Sequence, residues 1–419
     1  MTICASRPIR PFLALAIALS VFSLPPRASF AAPGALDKTF GINGIATPKL
    51  KIQLQTVAAA LQSDGRILIA GENGSLNDFI VVRLTAHGKL DPSFGKGGVA
   101  RLDLGGQDVP AGIAVQPADD KIVVVGSSDT NAAIVRLTAK GQPDTTFNGT
   151  GIHILNAGIG FSAFHAVLAQ TDGRIVAVGA AISSASFLVA RFNEDGTLDA
   201  SFSGDGVATV PFSGTTGASS VALQSDDSYV VAGFAGSLSQ IGVVRLTPGG
   251  DLDGAFGGTG KVVVGGFFGN FINGLAVRPG DKPILAGLAS QHFGLFGLNN
   301  DGSTDTSFDG DGREITTLTN GGDAATSVAV QDDGKLLVAG DADALGAPFA
   351  FGLVRYGTDG SLDATFGKSG VVVTRLKIAS LTASSVLRSP GASSNTIVVV
   401  GTFSGRVRTG VAAARYKIN

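Results

Sequence analysis

Acidic and basic side chains recur at fixed places along the chain, and they are the first candidates for chemistry. An aspartate lies in each of seven L-D-x-x-F-G strings, some of them imperfect: Asp37, Asp91, Asp144, Asp199, Asp253, Asp305 and Asp363. Arginine recurs at one position of the apolar runs between these strings: Arg83, Arg136, Arg191, Arg245, Arg355 and Arg415. Such residues could bind seven ligands, or they could form charge-assisted pairs and turn caps. A residue that recurs in the repeated units is expected to serve a need that the units share. We therefore interpret the recurring aspartates and arginines as structural.

One segment, 299–314, is dense in acids and is the candidate for calcium. It contains Asp301, Asp305, Asp309, Asp311 and Glu314, and calcium takes roughly 6–8 oxygen ligands. The order of the acids does not match an EF-hand, and similar but sparser turns recur elsewhere in the chain. We therefore expect Gly/Asp turns and no cofactor, with calcium as the remaining alternative.

Residues for nucleophilic or zinc chemistry are sparse. His87, His153, His165 and His292 fall in different parts of the chain with no paired spacing, which argues against zinc. Cys4 is the only cysteine, and no G-x-S-x-G string is present, so the usual activated nucleophiles are missing. No catalytic residue and no metal ligand is predicted.

The recurring aspartates define a repeat. Successive ones are 54, 53, 55, 54, 52 and 58 residues apart, which gives seven units. Within residues 90–142, four short runs rich in Val, Ile and Leu lie at 98–104, 111–116, 121–126 and 131–138. Their length, composition and Gly/Asp turns are typical of β-strands.

Seven units of four strands indicate an all-β, seven-bladed β-propeller over residues 36–419, because a solenoid would show shorter rungs and terminal caps. We label the strands a to d from the axis outward. The runs that begin with small residues are assigned to strand a. The chain then opens with a lone d strand at Gly44–Leu50 and ends with strands a to c at 382–418. The N-terminal strand is therefore predicted to close the last blade.

The N-terminus predicts export. Arg7 and Arg10 precede an apolar run of about 13 residues, shorter than the ~20 that span a membrane, and residues 1–31 read as a cleaved signal peptide. Removing its three arginines leaves 28 basic against 33 acidic residues, a net charge of −5. We expect a secreted or periplasmic monomer with no stable membrane anchor and no nucleic-acid partner.

The repeat resembles a known family. The pattern L-D-x-x-F-G, then A-L/V-Q-x-D-G-K-I-V-V-A-G, then L-V-R-L, is similar to the delta-60 repeats of bacterial exported proteins, over residues 36–419. The resemblance implies a propeller-like repeat of poorly defined function, with no catalytic residues to carry over. The fifth unit departs from the pattern, since Gly297 stands where other units have Arg.

Function is expected where the copies differ, in the b–c and d–a loops, which the strand order puts on one face. Candidate contacts in the b–c loops are Asn73, Asp129, Gln291, His292, Asp343, Arg406 and Arg408. The sequence favours a non-catalytic binding or scaffold protein for an unknown protein or small ligand. The alternative is a hydrolase or lyase at the central funnel mouth, where His165, Asp108 and Asp323 would have to converge.

Overall fold

The computed structural model describes part of the chain, with short gaps: residues 32–73, 78–155, 160–236, 240–267, 269, 272–376, 379–389, 395–406 and 408–419. The predicted signal peptide, residues 1–31, lies outside the described residues. Within the described ranges, no helix is long and apolar enough to cross a membrane.

The described strands form seven four-stranded antiparallel sheets, which we call blades 1 to 7. Blade 1 holds β2 (Gln55–Leu61), β3 (Ile67–Glu72), β4 (Phe79–Leu84) and β5 (Val99–Leu102). Blade 2 holds β6 (Asp108–Val115), β7 (Ile122–Ser128), β8 (Asn131–Leu137) and β9 (Ile152–Leu155). Blade 3 holds β10 (Ser162–Ala169), β11 (Ile175–Ala181), β12 (Ser186–Phe192) and β13 (Val207–Pro211), with a short 3-10 helix at Ile182–Ser184. Blade 4 holds β14 (Thr215–Leu223), β15 (Tyr229–Gly236), β16 (Gln240–Leu246) and β17 (Lys261–Gly265).

The remaining blades follow the same order. Blade 5 holds β18 (Ile272–Arg278), β19 (Lys282–Ala289), β20 (His292–Gly297) and β21 (Arg313–Thr316). Blade 6 holds β22 (Asp323–Val330), β23 (Leu336–Ala342), β24 (Ala350–Tyr356) and β25 (Val371–Thr374). Blade 7 holds β26 (Ala379–Arg388), β27 (Thr396–Gly405) and β28 (Thr409–Lys417), and its fourth strand is β1 (Ile45–Ala46).

The blades form a closed ring with the a strands innermost. Each a strand contacts the a strands of both neighbouring blades, and β26 of blade 7 contacts β2 of blade 1. Strands b and c are buried along almost their whole length, as in β3 and β4, because they lie between neighbouring blades. The predicted fold, an all-β seven-bladed propeller of four-stranded blades, is confirmed.

Every inner strand carries one β-bulge at the same place in its register with strand b. The bulged residues are Val57, Ala111, His165, Ser219, Asn273, Thr326 and Ser384. A bulge increases local twist and re-aims a side chain. The ring therefore repeats one irregular position near its axis seven times.

Closure by the N-terminal strand is also as predicted, but the strand is shorter than Gly44–Leu50. Ile45 and Ala46 pair with Ala414 and Ala413, and pairing ends before Pro48, whose nitrogen cannot donate a ladder hydrogen bond.

The segment before β1 makes further backbone hydrogen bonds to blade 7, in addition to the two residue pairs of β1. The Asp37 amide donates to the Arg415 carbonyl at 2.8 Å, and the Gly34 amide donates to the Lys417 carbonyl at 2.7 Å. The amide of Gly367, in blade 6, donates to the Pro33 carbonyl at 2.9 Å. The lead-in segment thus joins blades 6 and 7 as well as completing blade 7.

The recurring Asp, Arg and Phe form one fastener between neighbouring blades. In blade 2 the buried Arg136 donates from Nε to Asp144 (2.8 Å) and from Nη2 to the Thr146 hydroxyl (2.9 Å). Its Nη1 donates to the Glu194 carbonyl of blade 3 at 2.5 Å. Its guanidinium lies 4.8 Å above the ring of Phe147, which is fully buried. One side chain therefore ties its own turn to the next blade by charge, hydrogen bonds and a cation–π contact.

Blade 5 builds the fastener from a different strand. Arg278 comes from the end of strand a, where other units mostly have Gln, and its Nη2 donates to Asp305 at 2.9 Å. Its guanidinium lies 4.9 Å above the ring of Phe308. A Cβ added at Gly297 would lie 2.9 Å from Nη2 of Arg278. The glycine on strand c therefore makes room for the arginine on strand a.

The aspartate of this fastener is held ionised. Burial alone would raise the pKa of Asp305, but hydrogen bonds from Ser307, Lys282 and Arg278 lower it to about 2. The Nε of Arg278 has no partner, and its Nη2 reaches the Leu298 carbonyl of the same blade rather than a carbonyl of blade 6. Arg278 therefore still binds the aspartate turn of its own blade, but it lacks the hydrogen bond to the next blade that Arg136 makes.

A chain that begins at Lys51 should be far less stable than one that begins at Ala32. The shorter chain loses the Asp37–Arg415 pair and the buried Phe40, and loss of a buried Phe alone costs ~3–5 kcal/mol. We expect a lower thermal midpoint and faster amide hydrogen exchange in distant blades such as blade 4. Exchange that rises only in blades 1, 6 and 7, which the segment contacts, would argue against a ring closed by this segment.

The exchange of residues in the blade 5 fastener predicts that the effects of substitutions at positions 278 and 297 on the free energy of unfolding are not additive. Arg278→Gln should destabilise by ~3–5 kcal/mol, because it leaves Asp305 buried without its arginine. Gly297→Arg alone should cost ~1–3 kcal/mol by overcrowding. The double variant recreates the arrangement of the other blades and should be more stable than either single variant. Denaturant midpoints of the four proteins measure this coupling, and simple additivity would contradict the exchange.

Candidate functional site

The face that carries the b–c and d–a loops, which we call the variable face, has shorter b–c turns than predicted. Strands β7 and β8 are joined by Asp129 and Thr130 alone, and β19 and β20 by Ser290 and Gln291. Asp129, Ser290 and Gln291 have positive φ values of 50°, 50° and 66°, which is typical of tight hairpin turns. These strands therefore extend further toward the face than the apolar runs alone indicated.

Three of the predicted contact residues brace a d–a loop. The Asp129 carboxylate accepts the Gln107 amide at 2.9 Å, and the Gln291 carbonyl accepts the Asp323 amide at 2.8 Å. The Asp343 carbonyl accepts the hydroxyl of Thr319. Each of these b–c turns holds a d–a loop where the chain enters a blade, which is the turn's own blade for Asp129 and Asp343 and the following blade for Gln291.

The other four candidates are scattered. Nδ1 of His292 lies 3.5 Å from the buried Asp323 carboxylate, and Asn73 lies where β3 ends. Arg406 and Arg408 are exposed at the β27–β28 turn, where the Arg408 guanidinium lies 4.7 Å above the Phe403 ring. The structure brings His292 to a predicted acid but gathers the seven candidates into no single site.

A cavity of about 450 Å³ opens on the variable face between blades 3 and 4. Its lining combines three polar side chains with small and apolar ones: His165, Ala180, Ile182, Gly214, Thr216, Gly217, Ser219 and Phe234. Apolar walls with a few converging polar groups are the usual build of a small-molecule site. We refer to this cavity as the funnel pocket.

The bulges position its polar groups. His165 and Ser219 are the bulged residues of β10 and β14. Nδ1 of His165 lies 2.8 Å from the Ala218 carbonyl, and the Ser219 hydroxyl donates to the Ile272 carbonyl at 2.8 Å. Since a carbonyl only accepts, Nδ1 must carry a proton, and Nε2 is an acceptor whenever the ring is neutral.

Apolar side chains form the rim. Ile182 is 54% exposed and the adjacent Phe161 is 42% exposed. Hydrogen bonds hold the two together, because the Ile182 amide donates to the Phe161 carbonyl at 2.9 Å and the Phe161 amide donates to the Ser183 hydroxyl at 3.2 Å. Large exposed apolar side chains beside a pocket are typical of a contact surface.

A larger cavity, of about 680 Å³, lies outside the variable face. It runs along the outer side of blade 1, between residues 49–52 and 95–97, and Lys49, Lys51 and Lys96 line it. Its cationic groups sit on long, flexible side chains, whereas the polar groups of the funnel pocket are fixed by hydrogen bonds to backbone. The funnel pocket is therefore the better-preorganised site.

Asp341 is a candidate that the sequence did not reveal. The sequence predicts a b–c loop at 341–348, but Asp341 lies within β23, at the position that Ala180 and Phe234 occupy in the funnel pocket. Burial raises its pKa to about 6, although the Ala383 amide donates to it at 2.7 Å. An acid with a raised pKa beside a funnel is a recognised sign of a functional position.

The residues of the hydrolase alternative do not share the funnel pocket. His165 lines it, whereas Asp108 and Asp323 are almost fully buried at the starts of β6 and β22. Asp323 accepts the Leu318 and Thr319 amides at 2.8 and 3.0 Å. Both aspartates hold d–a loops, as capping acids do.

Three of the five acids of 299–314, namely Asp301, Asp305 and Asp311, have hydrogen-bond partners in their own turns, and Glu314 interacts with Asp309. Asp301 accepts the Ser303 amide at 2.9 Å, and Asp311 accepts the Arg313 amide at 2.9 Å. Asp305 belongs to the blade 5 fastener. Among the described residues, these acids do not come within ligand distance of one common ion.

Comparison with known proteins supports the fold. Five segments match the family model described as "Domain of unknown function (DUF5122) beta-propeller": 62–94, 118–147, 170–202, 224–256 and 331–366. The fifth unit, with its exchanged arginine, and the split seventh blade lie outside these segments. The resemblance to delta-60 repeats remains a prediction, and no curated protein matches the chain.

Solved structures with low sequence identity share the architecture. The chain is similar to Kuenenia stuttgartiensis hydrazine synthase at 12% identity and a TM-score of 0.51, over 86% of this chain and 97% of that one. It is also similar to the Dos1 propeller at 10% identity and a TM-score of 0.50, over 89% of this chain and 82% of that one. At such identities the likeness concerns the fold alone.

The raised pKa of Asp341 predicts a pH-dependent stability. The folded pKa of about 6 lies above the ordinary 3.8, so the folded state binds more protons and stability falls as pH rises from ~4 to ~6. Asp341→Asn removes the ionisable group, so its stability should not fall in this way. The difference in free energy of unfolding between the variant and the native protein should therefore shift in favour of the variant by ~1–3 kcal/mol between pH 4 and pH 8. Denaturant midpoints across this range measure it. Parallel stability curves for Asp341→Asn and the native protein would contradict the assignment.

Proposed function

We propose that this chain is an exported, non-catalytic propeller that binds a ligand or partner on its variable face, with the funnel pocket as the contact site. The observation that carries the proposal is the convergence of His165, Thr216 and Ser219 in a cavity rimmed by exposed apolar side chains. It acts as a monomer outside the cytoplasm.

The hydrogen bonds indicate the kind of ligand. The protons of His165 Nδ1, Ser219 Oγ and Thr216 Oγ1 are all donated to backbone carbonyls. The pocket therefore offers acceptors: Nε2 of the neutral imidazole and the lone pairs of two hydroxyls. The matching group is an apolar body that carries N–H or O–H donors, either on a small molecule or on a side chain of a protein partner.

The charge of the chain is consistent with such a ligand. Without residues 1–31 the net charge is −5, which disfavours nucleic acids and anionic surfaces. The pocket likewise favours a donor-bearing ligand over an anion, because the side-chain protons of His165, Thr216 and Ser219 are already donated to backbone carbonyls. A neutral or cationic donor-bearing ligand is the remaining class.

A thermal-shift screen of the whole chain tests the proposal. The probes are aromatic amines and amides, which combine an apolar ring with N–H donors. Compounds that raise the melting temperature of the native protein should fail with Ser219→Leu, which fills the pocket. The matched control is Thr326→Leu, which changes the bulged residue of β22 outside the pocket.

The outcomes separate the hypotheses. Loss of the shift in Ser219→Leu with its retention in Thr326→Leu supports binding at the funnel pocket. Equal shifts in both variants would move the site elsewhere. Turnover of a compound by the native protein, detected by mass spectrometry of the screen, would favour the hydrolase or lyase alternative.

A further inference from the structure

Three aspartates meet on the variable face at the junction of blades 1 and 2. Asp78 lies just before β4, Asp103 just after β5, and Asp108 is the first residue of β6. One carboxylate oxygen from each lies within 4.8 Å of those of the other two. We propose that this cluster binds one divalent cation of the calcium type, and that the cation bridges the two blades.

Asp108 supplies an observation independent of the clustering. It is 1% exposed, and its Oδ2 accepts the Leu104 amide at 2.7 Å. Its Oδ1 is buried and has no hydrogen-bond partner. A buried, unpartnered carboxylate oxygen is costly, and a cation is the partner that two neighbouring carboxylates would favour.

The same junction between blades 5 and 6 serves as an internal comparison. Asp323 begins β22 as Asp108 begins β6, but its Oδ1 accepts the Thr319 hydroxyl at 2.7 Å. The d–a loop of blade 1 has Gly105 directly after Leu104 and offers no hydroxyl at this point. His292, directly before Phe293, stands where blade 1 has Asp78. At blades 5 and 6 the buried Oδ1 of the aspartate thus has a hydroxyl as its partner, whereas the equivalent Oδ1 at blades 1 and 2 has no hydrogen-bond partner.

The charges balance for a divalent ion. Asp78 is 2% exposed and pairs with Arg101, a half-exposed residue of β5. Three carboxylates and one guanidinium leave two negative charges. Two buried carboxylates this close repel each other without a counter-charge, and a doubly charged cation removes that repulsion.

Donor type and spacing favour calcium. Calcium–oxygen bonds of roughly 2.3–2.6 Å allow two ligands of one ion to be up to ~5 Å apart, which fits the separation in this cluster. Carboxylate oxygens without His or Cys suit a hard cation such as calcium. Backbone carbonyls and water would complete the coordination.

Calorimetric titration of calcium into the EDTA-treated whole chain tests the site. We expect one equivalent to bind and to raise the melting temperature. Asp103→Asn should weaken the affinity at least tenfold, whereas Asp205→Asn, an exposed aspartate that caps a turn in the same way, should not. Asp108→Asn should abolish the calcium-dependent shift, and Asp323→Asn should retain it.

A second readout guards against variants that merely unfold. In EDTA, Asp103→Asn should melt no lower than the native protein, because it removes one of the repelling charges. Equal calcium affinity in Asp103→Asn and the native protein would overturn the proposal. So would the absence of heat at ~10 mM calcium, which exceeds the dissociation constants of weak extracellular sites, or a response to magnesium alone.

Discussion

The structure depends on one contact: a buried guanidinium that holds its own turn and reaches into the next blade. Arg136 touches an aspartate, a hydroxyl, an aromatic ring and a carbonyl of blade 3. With Cys4 outside the described residues and no other cysteine in the chain, the blades depend on such contacts and on closure of the ring. Burying a charge is costly unless it is paired, and each of these guanidinium groups has at least its aspartate and its aromatic ring as partners. This requirement fixes the L-D-x-x-F turn in every blade.

The constraint also divides the molecule into two faces. The a–b and c–d turns carry the fasteners, and they are nearly uniform because every blade needs them. The b–c and d–a loops carry none of these contacts, so their sequences can differ. The funnel pocket lies on this second face, where His165 and Ser219 use bulges that all seven inner strands share. The polar groups of this pocket therefore lie at a position whose backbone geometry is common to all blades.

Much of the fold could be predicted from sequence, because the seven-fold pattern and its phase decide blade number, strand order and closure. What could not be predicted depended on contacts between distant residues. Arg278 replaces a Gln in the same unit in which Gly297 replaces an Arg, and only the fold brings these positions together. Asp341 follows the apolar run of its unit, so its sequence is typical of a loop, whereas the strand continues to Ala342. The bulged residues carry no signal of their own, since the displaced residue follows from the pairing and not from its type.

The two kinds of junction show how a repeat can vary without losing its ring. At blades 5 and 6 the fastener loses its bond to the next blade, yet on the variable face Asp323 is satisfied by Thr319 and faces His292. At blades 1 and 2 the fastener is complete, since Arg83 donates to the Ala139 carbonyl of the next blade at 2.5 Å, and the variable face gathers unbalanced acids. An intact fastener on one face leaves the opposite face free to hold a charge cluster that folding alone does not favour. Such a cluster persists where a bound cation compensates for its repulsion, which is why the acids at 78, 103 and 108 are better explained by ligand binding than by blade structure.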